Sequence, residues 1–341
     1  MSDFFEAVRR FLLDYLPKQR CLSANTILSY RQTLNLFVSW LREEKEIPTA
    51  KIDFSCINSD VLLEFLSWLE DVRNCSATTR NQRLMALRSF LNYAGQLDCT
   101  QTALYLSALS IPSKKSPGKV VEALSDSALT ALLQQPDPSQ KKDLRNLVIM
   151  MLMYDTAARC GEILAMNICD LRLTVEHPIA YLHGKGNKTR TVPLLPKTVR
   201  HCTQYLKKFH PHEIAGSEAP LFYTVIHGAQ QRMSPDTVAT FLDKYGKMAA
   251  LKCPEVPPHI HPHMLRHSRA MNLYHAGMPL VLLSQYLGHA QVETTKIYAY
   301  ADTEMKRAAI EKADAIRKEN PIPEEIWAND EDMILRLSGL R

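Results

Sequence analysis

The chain has 341 residues, enough for two domains, and its 46% hydrophobic content can give each of them a core. Its 41 Lys+Arg exceed its 36 Asp+Glu, so the net charge is +5 with the 12 histidines neutral. That charge permits a polyanionic partner without requiring one. No run of about 18 apolar residues occurs, which excludes a predicted membrane span.

The N-terminus and the cysteines indicate a compartment. Asp3 and Glu6 stand where a signal peptide would be basic, so the N-terminal segment is interpreted as an amphipathic helix. The eight cysteines have irregular spacing and form no CxxC pair, which predicts reduced, buried thiols. We therefore predict a soluble, cytoplasmic protein that has no membrane partner.

Residues 1–110 are predicted to be all-helical, because four apolar stripes follow the three-four spacing of helices buried on one face. The stripes begin at Phe4, Tyr30, Val61 and Leu84. Residues 111–120 contain two prolines, one glycine and three lysines, a composition typical of a linker. The charge of this linker suits a segment that lies along a phosphate backbone.

Residues 121–315 are predicted to form a second, mostly helical domain. Within it, two β-prone runs in 179–194 flank the basic turn GKGNKTR, which predicts a β-hairpin. Residues 316–341 form a C-terminal tail with an apolar patch from Met333 to Leu340.

The segment DTAARCGEIL contains the first candidate site residue, Arg159. It directly follows the apolar run from Leu147 to Tyr154, which predicts a buried helix, and it precedes a second helix. An arginine held between two buried helices is rigid, as a phosphate clamp requires. The alternative is a surface arginine paired with Glu162.

The turn of the hairpin carries three cations. Lys185 lies where the first strand enters the turn, and Lys188 and Arg190 lie on its far side. A basic hairpin can reach into a DNA groove and deliver a proton, although a solvated basic hairpin is the simpler interpretation. The GxxxxGK[ST] spacing is absent, so no nucleotide site is predicted.

The segment HIHPHMLRHSRA predicts a helix that begins at Pro262. His263 and Arg266 are three residues apart and share a face near the helix N-terminus, which attracts phosphate. The competing interpretation is a zinc site built from Cys253, His259, His261 and His263. The prolines among these residues break the spacing of zinc modules, which argues against a zinc site. None of the candidate site residues needs a metal partner, so we predict no metal and no cofactor.

The segment YLGHAQVETTKIYAYA places His289 directly after Gly288, which ends one helix. The next helix carries Tyr298 and Tyr300. Tyr298 is either a core aromatic or a nucleophile. Two arginines that neutralise a phosphodiester, a histidine that shares the phenol proton and a lysine that protonates the leaving oxygen would complete such a site.

Together, these four segments resemble the tyrosine recombinase (phage integrase) family, and most closely its Xer-like branch. The matching catalytic positions are Arg159, Lys185, His263, Arg266, His289 and Tyr298. The family spacing selects Tyr298 over Tyr300. The resemblance implies a mainly α fold, with a SAM-like N-terminal core-binding domain and an α-rich catalytic domain that carries a small β-hairpin. The chain departs from the family at Ala157, where glycine is common; alanine there restricts the turn.

The resemblance also implies an activity. Tyr298 would form a 3′-phosphotyrosyl link and release a 5′-hydroxyl, and strand exchange would pass through a Holliday junction without a cofactor. The implied partners are double-stranded DNA with specific recombination sites, further copies in a homotetramer or dimer of dimers, and accessory DNA-bending proteins. The implied location is the prokaryotic cytoplasm, at the nucleoid. A type IB topoisomerase and a catalytically silent, sequence-specific DNA-binding protein are the alternatives.

Further basic residues are candidates for phosphate contacts. They are Arg31, Arg80, Arg83 and Arg88 on two N-terminal helices, Lys114, Lys115 and Lys119 in the linker, and Lys188 and Arg190 in the hairpin. A solvated surface charge is the alternative for each of them.

Overall fold

The computed structural model describes residues 2–115, 121–184, 188–289, 291–301, 307, 310–311 and 330–340. The chain divides into two compact units, Met1–Lys119 and Val120–Arg341. Each unit has a hydrophobic core of its own.

The described part of the N-terminal unit is built from helices. They are α1 (Asp3–Arg10), which continues into a π-helical segment (Phe11–Gln19), α2 (Ala24–Glu43), α3 (Ser59–Asp71), α4 (Ala77–Leu97) and α5 (Thr102–Ser110), with short 3-10 turns at Thr49–Lys51, Phe54–Cys56 and Cys99–Gln101. Ser23 and Ser76 cap α2 and α4 by accepting backbone N–H bonds. Aromatic rings meet edge-on in the core, with centroids 5.5 Å apart for Phe4 and Phe90 and 5.0 Å apart for Phe37 and Phe65. The predicted helical character of this region is confirmed.

The first residues after α5 pack onto the N-terminal unit. Ile111 is 3% exposed and lies in its core. Arg80 donates to the carbonyl of Pro112 at 2.9 Å, and Lys114 pairs with Glu70 at 2.7 Å. The beginning of the predicted linker is therefore held by contacts within this unit.

The C-terminal unit combines helices with two small antiparallel sheets. Its elements are α6 (Asp126–Leu133), α7 (Lys141–Asp155), α8 (Cys160–Ala165), a 3-10 turn (Ile168–Asp170), β1 (Leu171–Arg172), β2 (Ile179–His183), β3 (Thr189–Pro193), α9 (Pro196–Phe209), β4 (Tyr223–Ile226), β5 (Ala229–Arg232), α10 (Pro235–Ala250), α11 (Pro262–His275), α12 (Leu280–Leu287), a 3-10 turn (Val292–Thr295), α13 (Lys296–Ala301) and a C-terminal helix (Glu331–Leu337). The sheets have the strand orders β1-β2-β3 and β4-β5. Tyr181 pairs with Thr191 in the β2–β3 hairpin, which confirms the predicted hairpin.

Helix α7 runs through the core of the C-terminal unit. Ten of its 15 residues are buried, from Leu144 to Asp155. Because it is apolar on nearly all sides, α7 packs against neighbours in several directions rather than along one stripe. Its C-terminal end therefore gives a rigid position for the turn that leads to α8.

No helix in the described residues is long and apolar enough to cross a bilayer. All eight cysteines are free thiols, as predicted, but their predicted burial is wrong for most of them. Cys202 is buried, whereas Cys21, just after the π-helical segment, and Cys99, at the start of a 3-10 turn, are exposed.

Candidate active site

The turn between α7 and α8 has a constrained backbone. Thr156 ends α7, and its hydroxyl accepts the N–H of Ala158 at 3.3 Å. Ala157 has a φ of 47°, in the left-handed region where glycine is favoured. The alanine therefore adopts the glycine-like turn despite its Cβ, and its methyl group packs in a buried cluster with Leu287 and Tyr298.

Arg159 is the N-cap residue of α8 and is bound by Glu162. The Arg159 backbone N–H lies 2.9 Å from Oε2 of Glu162, and its Nη1 lies 2.9 Å from Oε1. The arginine side chain remains 41% exposed, whereas the glutamate is 7% exposed. Arg159 therefore fits both interpretations of its motif. It pairs with Glu162, as a surface arginine would, and it still faces an open cleft, as a phosphate clamp requires.

Arg190 reaches the same carboxylate from strand β3. Its Nη2 lies 2.7 Å from Oε2 of Glu162 and its Nη1 lies 3.2 Å from Oε1, a bidentate arrangement. Its side chain is only 14% exposed. A Cβ placed on Gly288 would come within 2.8 Å of Nη1 of Arg190, so the glycine leaves room for this guanidinium.

Arg266 extends from α11 into the interior and is 3% exposed. Its Nη1 donates to the carbonyl of Ala157 at 2.5 Å, and its Nη2 donates to the carbonyl of Leu287 at 2.8 Å. Burial, reinforced by the nearby Arg159, lowers the pKa of Arg266 to about 10, so the group stays cationic at neutral pH. Two backbone carbonyls orient the guanidinium without cancelling its charge.

Tyr298 lies on α13 and is 1% exposed. Its Oη lies 2.9 Å from Nδ1 of His267, and the two rings have centroids 5.8 Å apart. Burial raises the pKa of the phenol, while Arg266 and Arg159 oppose that rise. The two guanidinium groups thus favour the phenolate that a nucleophilic attack requires.

The pKa values of the three histidines of the site are lowered, which favours their neutral forms. Burial, with Arg266 as the next cause, lowers the pKa of His289 to about 4, and burial with His263 lowers the pKa of His267 to about 4. The pKa of His263 is also lowered by burial and by Arg266. Neutral imidazoles can accept a proton or a hydrogen bond, which imidazolium ions cannot.

Five of the six predicted catalytic residues line one open cleft of ≈ 460 Å³. These five are Arg159, His263, Arg266, His289 and Tyr298. The cleft is also lined by His267, Gln291, Thr294 and Ile297. His289 follows Gly288, which has a φ of 65°, and its Nδ1 lies 2.8 Å from Oγ1 of Thr295. The sixth residue, Lys185, lies outside the described residues, as does the side chain of Tyr300.

The basic residues proposed as further DNA contacts fall into different environments. Arg31, Lys115 and Lys188 are exposed, and Lys114 pairs with Glu70. The side chain of Arg80 is 4% exposed, which does not fit the prediction that it contacts DNA.

Two of the other arginines make bonds within the N-terminal unit. Arg83 donates to Oγ1 of Thr33 at 2.8 Å, and Arg88 donates to the carbonyl of Ala108 at 3.0 Å. Lys119 lies outside the described residues.

Sequence reasoning missed the contributions of three residues to this site. Glu162 was considered only as the partner of a surface arginine, Arg190 only as a DNA contact, and His267 was given no role. The four-residue step from His263 to His267 places both on one face of α11, which is the signal that could have identified His267.

The zinc-site interpretation has no matching cluster of ligand side chains in the part of the chain that the structure describes. Throughout the described residues, no group of three His, Cys, Asp or Glu side chains could hold a metal ion. His261 instead lies 3.3 Å from Glu122, and its ring centroid lies 6.4 Å from that of His263.

Comparison with known proteins gives matches in both units. The profile of the phage integrase family matches residues 122–305, and that of the phage integrase N-terminal SAM-like domain matches residues 9–96. The protein y4rC of Sinorhizobium fredii is 31% identical over 89% of this chain and 89% of its own length. The tyrosine recombinase XerD of Vibrio cholerae is 27% identical over 86% of this chain and 91% of its own.

Solved structures share the fold. The XerH site-specific recombinase, bound to a palindromic difH substrate in a post-cleavage complex, has a TM-score of 0.66 and 22% identity, covering 90% of this chain and 87% of that chain.

Proposed function

Because the chain belongs to the phage integrase family, whose members are tyrosine recombinases that cleave and rejoin DNA, we propose that it is a site-specific recombinase with Tyr298 as its nucleophile. The observation that carries the proposal is the cleft in which the Tyr298 hydroxyl lies together with Arg159 and Arg266.

The proposed substrate is a phosphodiester of double-stranded DNA. Arg159 and Arg266 neutralise its charge, which would otherwise repel the nucleophile, and they stabilise the additional charge of the transition state. His263 is exposed at the first turn of α11 and His289 borders the cleft, so both can bind non-bridging oxygens. Each guanidinium is already oriented by protein groups, which limits the reorganisation needed when DNA binds.

The proposed reaction has two transesterification steps. The Tyr298 oxygen bonds to phosphorus as the bond to the 5′-oxygen breaks, which leaves a 3′-phosphotyrosyl link. Lys185 is proposed to protonate that 5′-oxygen. A 5′-hydroxyl from the partner duplex then attacks the link and frees Tyr298, and a second pair of exchanges resolves the Holliday junction. The covalent link conserves the bond energy, so no nucleotide cofactor is required.

Strand exchange between two duplexes needs several active sites, so we propose a homotetramer, or dimer of dimers, on DNA. The C-terminal helix Glu331–Leu337 supports this proposal, because Met333 is 40% exposed and Leu337 is 67% exposed in the single chain. These apolar side chains can dock on a neighbouring copy.

A topoisomerase that relaxes DNA as a monomer has less support. The relative from Vibrio cholerae, which matches 86% of the chain, is named a recombinase. A catalytically silent DNA-binding protein has less support as well, because Tyr298 and its histidine and arginine neighbours are all present in one cleft.

The test is covalent capture of DNA. Wild-type protein is incubated with a library of randomised duplexes that carry a nick near the cleavage position, so that a released oligonucleotide diffuses away and the covalent complex accumulates. We expect denaturant-resistant protein–DNA complexes with the wild type and with Tyr300→Phe. Tyr298→Phe should form no such complex, although it should still bind the selected duplex. Equal capture by Tyr298→Phe would refute the assignment of the nucleophile.

A further inference from the structure

The hydroxyl of Tyr298 is bonded to a histidine that was not among the predicted catalytic residues. Nδ1 of His267 lies 2.9 Å from Oη of Tyr298. His289 instead directs its Nδ1 to Thr295 at 2.8 Å, and the ring of His263 lies 6.3 Å from that of His267. His267 is therefore the histidine placed to receive the phenol proton.

The surroundings of His267 keep its ring nitrogen available as an acceptor. Burial is the largest cause that lowers its pKa to about 4, followed by the charge effects of His263 and Arg266. A neutral ring with its proton on Nε2 presents a lone pair on Nδ1, so the phenol donates and the imidazole accepts. The 2.9 Å contact and the neutral ring therefore both fit transfer of the phenol proton to Nδ1 in this tautomer.

We propose that His267 is the general base that takes the proton of Tyr298 during DNA cleavage, an assignment that rests on the proposed recombinase function. As the Oη–H proton moves to Nδ1 of His267, the oxygen forms its bond to phosphorus and the bond from phosphorus to the 5′-oxygen breaks. The 5′-oxygen takes its proton from the general acid, for which Lys185 is proposed. In the rejoining step, Lys185 takes the proton of the attacking 5′-hydroxyl as its oxygen bonds to phosphorus. The bond from phosphorus to Oη breaks and the His267 imidazolium returns its proton to Oη, so the active site regains its starting state.

This assignment separates the roles of the histidines. His263 is exposed at the mouth of the cleft, where it can contact phosphate oxygens, whereas His267 lies one turn deeper and contacts the nucleophile. Several titratable or charged groups surround His267 and act on its protonation. They are His261 at the N-cap of α11, His263 and Arg266 on α11, Glu122 before α6, His289 after α12 and Tyr298 on α13.

The variant that tests the proposal is His267→Asn. The asparagine oxygen can replace Nδ1 as a hydrogen-bond acceptor, but it cannot take up a proton at neutral pH. His275→Asn is the matched control, because it makes the same change at an exposed position at the other end of the same helix. The substrate is the duplex selected by covalent capture, made with sulfur in place of the bridging 5′-oxygen. A thiolate leaves without an acid, so the cleavage rate then reports activation of the nucleophile alone.

We expect His267→Asn to lower the cleavage rate at neutral pH by about 10²–10⁴-fold, the usual contribution of a general base, with unchanged DNA affinity. The wild-type rate should be constant between about pH 6 and 8, because the base is already neutral there. The variant rate should rise about tenfold per pH unit, since its phenol must ionise in bulk solution. His275→Asn should follow the wild type.

Three results would overturn the proposal while leaving the function intact: a wild-type rate for His267→Asn, a faster rate, or a loss by the same factor at every pH. If the variant does not fold, the wild-type profile still decides, because a wild-type rate that itself rises tenfold per unit near neutrality shows that no neutral base acts. Failure of the recombinase function would appear differently, as wild-type protein that captures none of the duplexes covalently.

Discussion

Replacing Glu162 with glutamine should destabilise the C-terminal unit, because one carboxylate there serves two arginines. The four bonds to its oxygens span 2.7–3.2 Å and come from the backbone and guanidinium of Arg159 and from both terminal nitrogens of Arg190. Glutamine keeps one acceptor oxygen and turns its amide NH2 toward the remaining donors. The buried Arg190 also loses its counter-ion.

The expected magnitude follows from burial. Removing one partner of a buried ion pair costs about 3–5 kcal/mol. Arg159 is 41% exposed and can bind water in place of the carboxylate, so the loss of its ion pair contributes less to the destabilisation. Arg190 is only 14% exposed and has little access to water, so the loss of its ion pair contributes more. We therefore expect the free energy of unfolding to fall by roughly 2–4 kcal/mol. For a unit of this size, in which 1 kcal/mol shifts Tm by roughly 2–4 °C, that corresponds to a decrease in Tm of about 4–16 °C.

Differential scanning calorimetry of the full chain measures this change as a shift in the unfolding transition. Asp243→Asn is the matched control, because it removes the same kind of charge from an exposed pair, in which Asp243 lies 2.7 Å from Lys247. We expect a much smaller shift in Tm for the control. Equal shifts for the two variants, or an unchanged transition in Glu162→Gln, would refute the argument that this carboxylate holds the arginines in place.

Two further predictions concern the same region. Gly288→Ala should lower the free energy of unfolding by about 1–2 kcal/mol, because alanine is disfavoured at the left-handed φ of 65°. The loss should be larger still because the new Cβ would come too close to the guanidinium of Arg190. Gly277→Ala, at a φ of 88° with nothing within 4 Å, isolates the backbone effect, so equal losses in thermal unfolding would contradict the contact with Arg190. Acid should also destabilise the unit. The folded pKa values of His267 and His289 are about 4, below the ordinary 6.5, so between those values the unfolded chain binds more protons and stability falls as pH falls. The decrease in Tm from pH 7 to pH 5 should become smaller when both histidines are replaced by asparagine, and an unchanged decrease would assign the acid sensitivity to other groups.

The parts of the fold that the sequence predicted are those that depend on local signals. Proline at the first position of α11 and glycine at the end of α12 set helix boundaries, and both are observed. The two β-prone runs that flank the basic turn pair as antiparallel strands, as their composition indicated. Helical periodicity is encoded within a few residues, so no tertiary information was required.

The parts that escaped prediction depend on packing between distant segments. The bonds from Arg190 to Glu162 join residues 28 positions apart, and the bond from His267 to Tyr298 joins residues 31 positions apart. Neither spacing follows a helix or strand period, so no local pattern reveals these pairs. The backbone conformation of Ala157 was not predicted for another reason. Its left-handed φ opposes the preference of alanine and is imposed by its surroundings.

The pairing of Glu162 with two arginines sets the net charge that the cleft offers to a phosphate. Among the described residues of the site, three guanidinium groups and one carboxylate leave two positive charges, because the histidines are neutral. A DNA phosphodiester carries one negative charge, and attack by the Tyr298 oxygen, whose proton passes to His267 in the proposed mechanism, brings a second to the phosphoryl group. The site therefore matches the charge of the transition state better than that of the bound substrate, which is the condition for catalysis rather than tight binding.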